Sequence, residues 1–318
     1  TRQKFESLVN ELRPGGMTAL FAGLDLGLHQ AQAMQSENNL TLLLSDGEAN
    51  VGETDLEIIG NLARRAVSHG LIVSTMGVGA AYNEAMMTEI ATQGKGRFYH
   101  IQSTDEIVPL ISSELGEAAD VAARDVKIHI QLPKGAALIP LSALYQCEIK
   151  EGEAIVSVGD IPIDLDVEVP LRLTLFSGKK DKRLEITGAV TYQSPSEVDL
   201  KSILNRVTVR FIDQNQFEVE KGVVKPVATK IAEQMHAKQV LNFSRAFTRG
   251  DTQEIDKLEA ERVRFRDYVQ NLDEDTQKEL LSDMDEDMHN LRSASPMSKN
   301  SVYQAYQTQR SMRNHKKR

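Results

Sequence analysis

The fold of this chain is decided by the stretch Leu40-Thr41-Leu42-Leu43-Leu44-Ser45-Asp46-Gly47-Glu48-Ala49-Asn50. Five apolar or β-favouring residues lead into a Ser-Asp-Gly corner, which predicts a buried strand that ends at Ser45. The Asp46 carboxylate would then lie at the carboxyl end of a strand, where open α/β sheets bind their ligands. Because Mg²⁺ prefers oxygen ligands, the stretch predicts a metal site that includes Asp46.

A second oxygen ligand is predicted upstream, in Pro14-Gly15-Gly16-Met17-Thr18-Ala19-Leu20. The glycine pair sets the Thr18 hydroxyl at the start of a predicted helix. Thr18 and Asp46, each on a loop at a strand's end, would be two ligands of one Mg²⁺-type site. Two simpler roles stay open, because Thr18 is also a good helix N-cap and Asp46 could cap the turn at Gly47.

Residues 1–119 alternate between helical and strand patterns, which is typical of an α/β domain. Strands are predicted at residues 40–45, 71–76 and 97–101, and amphipathic helices are predicted between them. Strands that alternate with helices of this length favour right-handed βαβ units and a Rossmann-like parallel sheet.

The pattern changes twice after residue 119. Residues 125–215 alternate apolar and polar positions with period 2 between turn signals, which predicts an antiparallel β-sandwich. Residues 223–292 have helical periodicity and are strongly acidic after residue 251. Residues 293–318 contain six basic and no acidic residues and are rich in Ser, Gln and Asn, which predicts a disordered basic tail.

The composition narrows the classes of function. A formal net charge of −9 over 318 residues argues against general nucleic-acid binding, which needs a basic face. The single cysteine, Cys147, excludes an intramolecular disulfide and is compatible with a reducing compartment, so the cytoplasm is slightly favoured while the localisation stays open. No apolar run approaches the roughly 18 residues that span a bilayer. No nucleophile elbow, P-loop or zinc motif is visible, so we predict that the chain is not an enzyme.

Three motifs in residues 1–119 resemble those of the von Willebrand factor type A domain. They are residues 14–20, 43–52 and 73–79, which follow the family's order and spacing, and the turn and strand at 94–99 resemble the next part of that domain. The resemblance implies a metal-ion-dependent adhesion site for Mg²⁺ or Mn²⁺, completed by a partner's carboxylate. Thr18 matches the family's metal-binding threonine, and Asp46 matches its aspartate. The rim of the site would be formed by Gly15, Gly16, Ser45, Gly47 and Asn50.

One element of the family's site is absent from the sequence. The family's Asp-x-Ser-x-Ser loop and its first strands have no counterpart here, because residues 1–12 have the pattern of a helix. Without the first strand, strand 40–45 would present an unpaired apolar edge, which native proteins avoid. We therefore expect an N-terminally truncated piece of a longer protein, in which the metal site would be complete.

These patterns predict a metal-dependent protein–protein interaction module that binds an Asp or Glu of its partner. The main alternative is an accessory or regulatory subunit of an ATPase or metal-chelatase-like complex, with the helical segment 223–292 as its docking surface. The partner and the oligomeric state cannot be read from the sequence.

Overall fold

The structure is a computed structural model, and its chain divides into two compact units between Arg97 and Phe98. It describes residues 11, 17–34, 39–119, 121–163, 165–176, 178–194, 200–213, 224–293, 295, 297–310 and 312–314. The sequence placed the boundary at residues 119–125, where the hydrophobic period changes. In the structure, Phe98 already belongs to the second unit, where it packs on Tyr303 and Tyr306 with ring centroids 5.9 Å apart in each pair.

The first unit contains the α/β elements that were predicted. In chain order they are α1 (Leu20–Ala33), β1 (Asn39–Ser45), α2 (Leu56–Ser68), β2 (Leu71–Val78), α3 (Glu84–Gln93) and β3 (Lys95–Ile101), the last of which crosses the boundary. The three strands form a parallel sheet in the order β1-β2-β3. The predicted Rossmann-like parallel sheet is thereby confirmed.

The core of the first unit follows from the periodicity of its sequence. The central strand β2 is buried over most of its length, as expected for a parallel strand covered on both faces. One stripe of α2 is buried, formed by Leu56, Ile59, Leu62, Ala63 and Ala66. Asp55 is the N-cap of this helix, because its carboxylate accepts hydrogen bonds from the backbone N–H groups of Glu57 (2.8 Å) and Ile58 (3.1 Å).

The second unit begins with the end of β3, continues with one helix and then forms mostly antiparallel strands. After a 3₁₀ turn at Thr104–Glu106, its elements are α4 (Ile107–Ala119), β4 (Val121–Gln131), β5 (Ala137–Pro140), β6 (Gln146–Lys150), β7 (Glu153–Pro162), β8 (Leu165–Val167), β9 (Leu171–Thr174), β10 (Arg183–Ile186), β11 (Gly188–Gln193), β12 (Leu200–Ile203) and β13 (Val207–Arg210). An antiparallel sheet has the strand order β12-β11-β4-β7-β6, and β5–β9 and β10–β13 are separate pairs. Leu138 of β5 and the buried Ala154 and Val156 of β7 share one apolar cluster. The antiparallel sheet is confirmed, and closure into a sandwich stays a prediction.

The rest of the second unit is helical. Its elements are α5 (Lys225–Arg249), α6 (Thr252–Val269), α7 (Glu274–Arg292), α8 (Ser298–Arg310) and the short strand β14 (Met312–Asn314). A second apolar cluster joins three of these helices through Ala232, Phe265, Val269, Leu280 and Met284. None of the helices that the structure describes combines the length and apolarity that a bilayer span requires.

The prediction of a disordered tail was wrong for most of residues 293–318. Helix α8 forms there, and Val302, Ala305, Tyr306 and Gln309 are buried on one of its faces. Positions 302, 305, 306 and 309 have the i, i+3, i+4, i+7 spacing of an amphipathic helix. The polar composition hid this stripe, because two of its four members are Gln and Tyr.

Candidate functional site

The corner after β1 is fixed by its own side chains. Ser45 is buried, and its hydroxyl donates a hydrogen bond to the carbonyl of Gly47 (2.9 Å). The parallel register pairs Ser45 with Gly77, so β1 and β2 end at the same edge of the sheet. Asp46, the next residue, therefore follows the carboxyl end of β1, the edge at which open α/β sheets bind their ligands.

The loop that carries Thr18 is joined directly to this corner. The backbone N–H groups of Asn50 and Val51 donate to the carbonyl of Thr18, at 3.2 and 3.3 Å. In return, the backbone N–H of Thr18 donates to Oδ1 of Asn50 at 2.8 Å. Asn50 was predicted as a rim residue, and the structure shows how it holds the two loops together.

The Thr18 hydroxyl lies against Gly47, the residue that follows Asp46. A Cβ atom added to Gly47 would lie 3.2 Å from Oγ1 of Thr18, which is closer than such contacts normally are. The absence of a side chain at position 47 therefore lets the hydroxyl come next to the corner of Asp46. Thr18 and Asp46 are thus 28 residues apart in sequence, and the tertiary structure brings their loops together.

Neither simpler role, a helix cap for Thr18 or a turn cap for Asp46, is seen among the described residues. The N-cap of α1 is Ala19, and no side chain caps that helix end, so Thr18 does not act as the cap. The turn at Gly47 is bonded by Ser45. Asp46 is exposed, and within the described part of the chain its carboxylate has neither a hydrogen bond nor an ion pair.

The predicted ligand set is small. The described residues contain no group of three or more His, Cys, Asp or Glu side chains that could hold a metal ion. Gly15 and Gly16, the other predicted members of the rim, lie outside the described residues. Among the described residues, the predicted ligands are thus one exposed carboxylate, on Asp46, and one hydroxyl, on Thr18.

A further contact behind the site could not be found from the sequence. Gly77, opposite Ser45, has the ring of Tyr82 packed on it, and a Cβ atom at Gly77 would lie 2.3 Å from that ring. Tyr82 is 2% exposed, and burial raises the pKa of its hydroxyl, so the group stays neutral. The Gly77-Val78-Gly79 turn is thus a packing feature that seats an aromatic ring beneath the sheet edge.

We expect Asn50→Ala to loosen the link between the two loops. The substitution removes the acceptor of the Thr18 N–H, and the loss of one hydrogen bond costs about 0.5–1.5 kcal/mol. Urea unfolding and hydrogen exchange at Thr18 would measure the loss. Glu48→Ala, on the same exposed loop, is the control and should be nearly neutral. Equal Thr18 exchange in the two variants would contradict the bridging role of Asn50.

A known protein family matches the part of the chain that contains this site. The sequence model described as "von Willebrand factor type A domain" matches residues 1–113, which include both candidate ligands and all three strands. Residues 1–113 belong to the von Willebrand factor type A family. This fold is a protein–protein interaction fold and is often metal-dependent.

Relatives of known sequence or structure extend the comparison. The uncharacterized protein YfbK of Escherichia coli (strain K12) is 33% identical over 133 residues, which is 41% of this chain and 23% of that protein. A von Willebrand factor type A structure from Catenulispora acidiphila has a TM-score of 0.58 at 14% identity, and the match covers 96% of this chain and 73% of the other. Human COPII-coat protein Sec24c has a TM-score of 0.52 at 12% identity, with 92% and 43% covered. The chain thus spans about a quarter of YfbK, and the structural matches show a shared fold.

The second unit has a cavity of about 280 Å³ among α5, α7 and α8. Four carboxylates line it, from Glu233, Asp283, Glu286 and Asp287. Nε2 of His236 lies 2.8 Å from Asp287, which links α5 to α7. We do not assign a ligand to this cavity, because acidic residues on neighbouring helices are ordinary surface charges.

One polar cluster on the antiparallel sheet has the order of atoms found in hydrolases. Nε2 of His129 lies 2.9 Å from Oγ1 of Thr191, and its Nδ1 lies 3.3 Å from Oε2 of Glu153. Thr191, however, lies within β11 and pairs with Lys127 in the ladder. We interpret the cluster as cross-strand contacts that stabilise the sheet, and the absence of enzyme activity stays a prediction.

Proposed function

We propose that this chain is a metal-dependent protein-interaction module that binds a carboxylate of its partner. Thr18 and Asp46 would hold a Mg²⁺ or Mn²⁺ ion, and Asn50, Gly47 and Ser45 would keep the two loops in place. The proposal is supported above all by one observation. Asp46 is exposed, has no partner among the described residues and follows β1 at the carboxyl end of the strand, and the Thr18 hydroxyl lies against the next residue.

The residues fit such an ion as a partial set of ligands. Mg²⁺ usually keeps several waters and takes only one or two carboxylates from a protein. One carboxylate and one hydroxyl agree with this habit and leave positions open for another ligand. When bound, the ion would supply a positive charge that an Asp or Glu side chain of a partner can coordinate.

A titration with Mn²⁺ tests the metal part of the proposal. Mn²⁺ is added to the full chain, and the free ion is measured by electron paramagnetic resonance, with Mg²⁺ as the competitor. We expect Asp46→Ala to weaken Mn²⁺ binding by at least about tenfold, since even outer-shell partners of a metal ligand contribute roughly 10- to 100-fold. Glu48→Ala removes a carboxylate two residues away and should keep the affinity. Equal affinities in Asp46→Ala and the unmodified chain would overturn the assignment.

Acetate tests the carboxylate part separately. Added to the Mn²⁺-loaded chain, it should displace a metal-bound water and reduce the enhancement of water proton relaxation. A chain that binds Mn²⁺ through Asp46 but shows no response to acetate would retain the metal site and lose the partner chemistry proposed for it.

The alternative, an accessory subunit of an ATPase complex, stays a prediction. It differs from the main proposal in its dependence on metal, because a docking surface on the helical segment would keep its partner in the presence of a chelator. Partner binding that survives both chelation and Asp46→Ala would favour the alternative.

A further inference from the structure

The geometry points to a conformational lock at the C-terminal end of the second unit. We propose that α8 and β14, here called the C-terminal segment, couple the antiparallel sheet to the helices so that both open together. The sequence suggested no such role, because this region has the composition of a disordered tail. The inference is independent of the metal site, since it concerns the second unit alone.

On what we call the sheet side, formed by β8 and by the loop between β5 and β6, the C-terminal segment makes three kinds of contact. Strand β14 pairs with β8 in antiparallel register, with Met312 opposite Val167. The backbone N–H of Ala143 donates to Oε1 of Gln309 at 3.1 Å. The hydroxyl of Tyr145 donates to the carbonyl of Arg310 at 2.9 Å, and Tyr145 also belongs to the apolar cluster of the sheet.

On the helix side, one buried amide pair joins α8 to α5. Gln309 and Gln234 are both 0% exposed. Nε2 of Gln309 donates to the backbone carbonyl of Gln234 at 2.8 Å and to its Oε1 at 3.0 Å. Nε2 of Gln234 donates in turn to the carbonyl of Thr308. The Nε2 group of each amide thereby donates to the other helix, and a buried polar network of this kind specifies one arrangement.

Gln309 contacts both sides directly, and a second contact is the ion pair of Lys230 in α5 with Glu168 just after β8, at 3.6 Å. Its Oε1 accepts from the sheet side at Ala143, and its Nε2 donates to the helix side at Gln234. Among the described residues, the apolar cluster around Val156 and the apolar cluster around Phe265 are separate. They nevertheless belong to one compact unit, because the chain divides at Arg97 and not between the sheet and the helices.

The lock is tested by replacing Gln309 in the full chain. Gln309→Leu replaces the amide with an apolar side chain of similar size and removes the partners that Gln309 gives to the N–H of Ala143 and to the carbonyl and Oε1 of Gln234. Native-state hydrogen exchange is measured by mass spectrometry at increasing urea, with peptides from β7 and α7. In the unmodified chain we expect both peptides to open at the same urea concentration, and in Gln309→Leu at different concentrations. Exchange at Ala143 should also become roughly tenfold faster, as expected for the loss of a buried hydrogen bond.

A matched control is available on the same helix. Gln307 is exposed, so Gln307→Leu makes the same chemical change without touching the network. It should behave like the unmodified chain. Coincident opening of β7 and α7 in Gln309→Leu would overturn the proposal, and so would separate opening in the Gln307→Leu control.

A second variant decides the case if Gln309→Leu does not fold. Tyr145→Phe removes only the hydroxyl that donates to Arg310 and leaves the ring in the apolar cluster. We expect faster exchange in β8 and β14 together, because the sheet side of the lock is weakened. Unchanged exchange in both strands would show that the C-terminal segment rests on the sheet without holding it.

Discussion

Gly96→Ala is expected to destabilise the α/β unit more than any other single methyl group added to it. The new Cβ atom would lie 2.1 Å from the carbonyl oxygen of Val73 and 2.4 Å from its carbonyl carbon. These are backbone atoms of β2, the central strand, so no side chain can rotate away to make room. Overpacking of a core normally costs about 1–3 kcal/mol, and a clash with backbone should reach or exceed the upper end of that range.

Urea unfolding, followed by hydrogen exchange in β2, would measure this effect. The control is Gly23→Ala in α1, where an added Cβ atom has no other atom within 4 Å. There the same substitution should stabilise the helix by up to about 1 kcal/mol, because Gly is a poor helix former. A Gly96→Ala chain as stable as the Gly23→Ala chain would show that β3 does not approach β2 as closely as described.

The Gly94–Tyr99 motif illustrates how far sequence reasoning reached into the fold. Its resemblance to a turn and strand was correct, and the structure supplies the reason for its glycines. Gly94 ends α3, Lys95 has a positive φ of 54°, and Gly96 lies against the backbone of Val73. The elements were predictable because their periodicity is strong and local. The close approach of β3 to β2 was not, because it depends on residues 23 positions apart.

The candidate site, too, was predictable from the sequence only in part. Asp46 could be placed at a strand end from its neighbours alone, since an apolar run that stops at Ser-Asp-Gly has few other structures. Thr18 was placed by resemblance, and its juxtaposition with Gly47 is a tertiary contact that no local pattern encodes. The same holds for Asn50, whose side chain reaches back across 32 residues to the Thr18 N–H. The ligand roles of Thr18 and Asp46 remain predictions that the titration tests.

The C-terminal segment shows where composition misleads. Residues rich in Ser, Gln and Asn lack the apolar surface that usually drives folding, so disorder was the natural prediction. Gln309 is buried because Gln234 and Ala143 satisfy its amide, and Tyr306 because it packs on Phe98. None of these three partners is near in sequence. A helical stripe of Val, Ala, Tyr and Gln therefore needs its tertiary partners before it can be recognised as a core.

The second large effect is expected from Phe265→Ala in α6. Phe265 is 0% exposed and lies in the cluster with Ala232, Val269, Leu280 and Met284. Its truncation removes buried apolar surface and leaves a cavity, which typically costs about 3–5 kcal/mol. Urea unfolding followed by hydrogen exchange in α5 and α7 would measure the loss. Val263→Ala, on the same helix and 60% exposed, should change stability by no more than about 0.5 kcal/mol.

Hydrogen exchange in the sheet of the Phe265→Ala chain also tests the C-terminal lock. If the sheet and the helices open as one body, the loss of stability in α6 should appear equally in the exchange of β4 and β7. Combining Phe265→Ala with Gln309→Leu should then confine the defect to the helices and restore protection in the sheet. A defect that stays in the helices even with Gln309 in place would mean that the two parts are already independent. Loss of stability in the Val263→Ala control would instead contradict the packing described for α6.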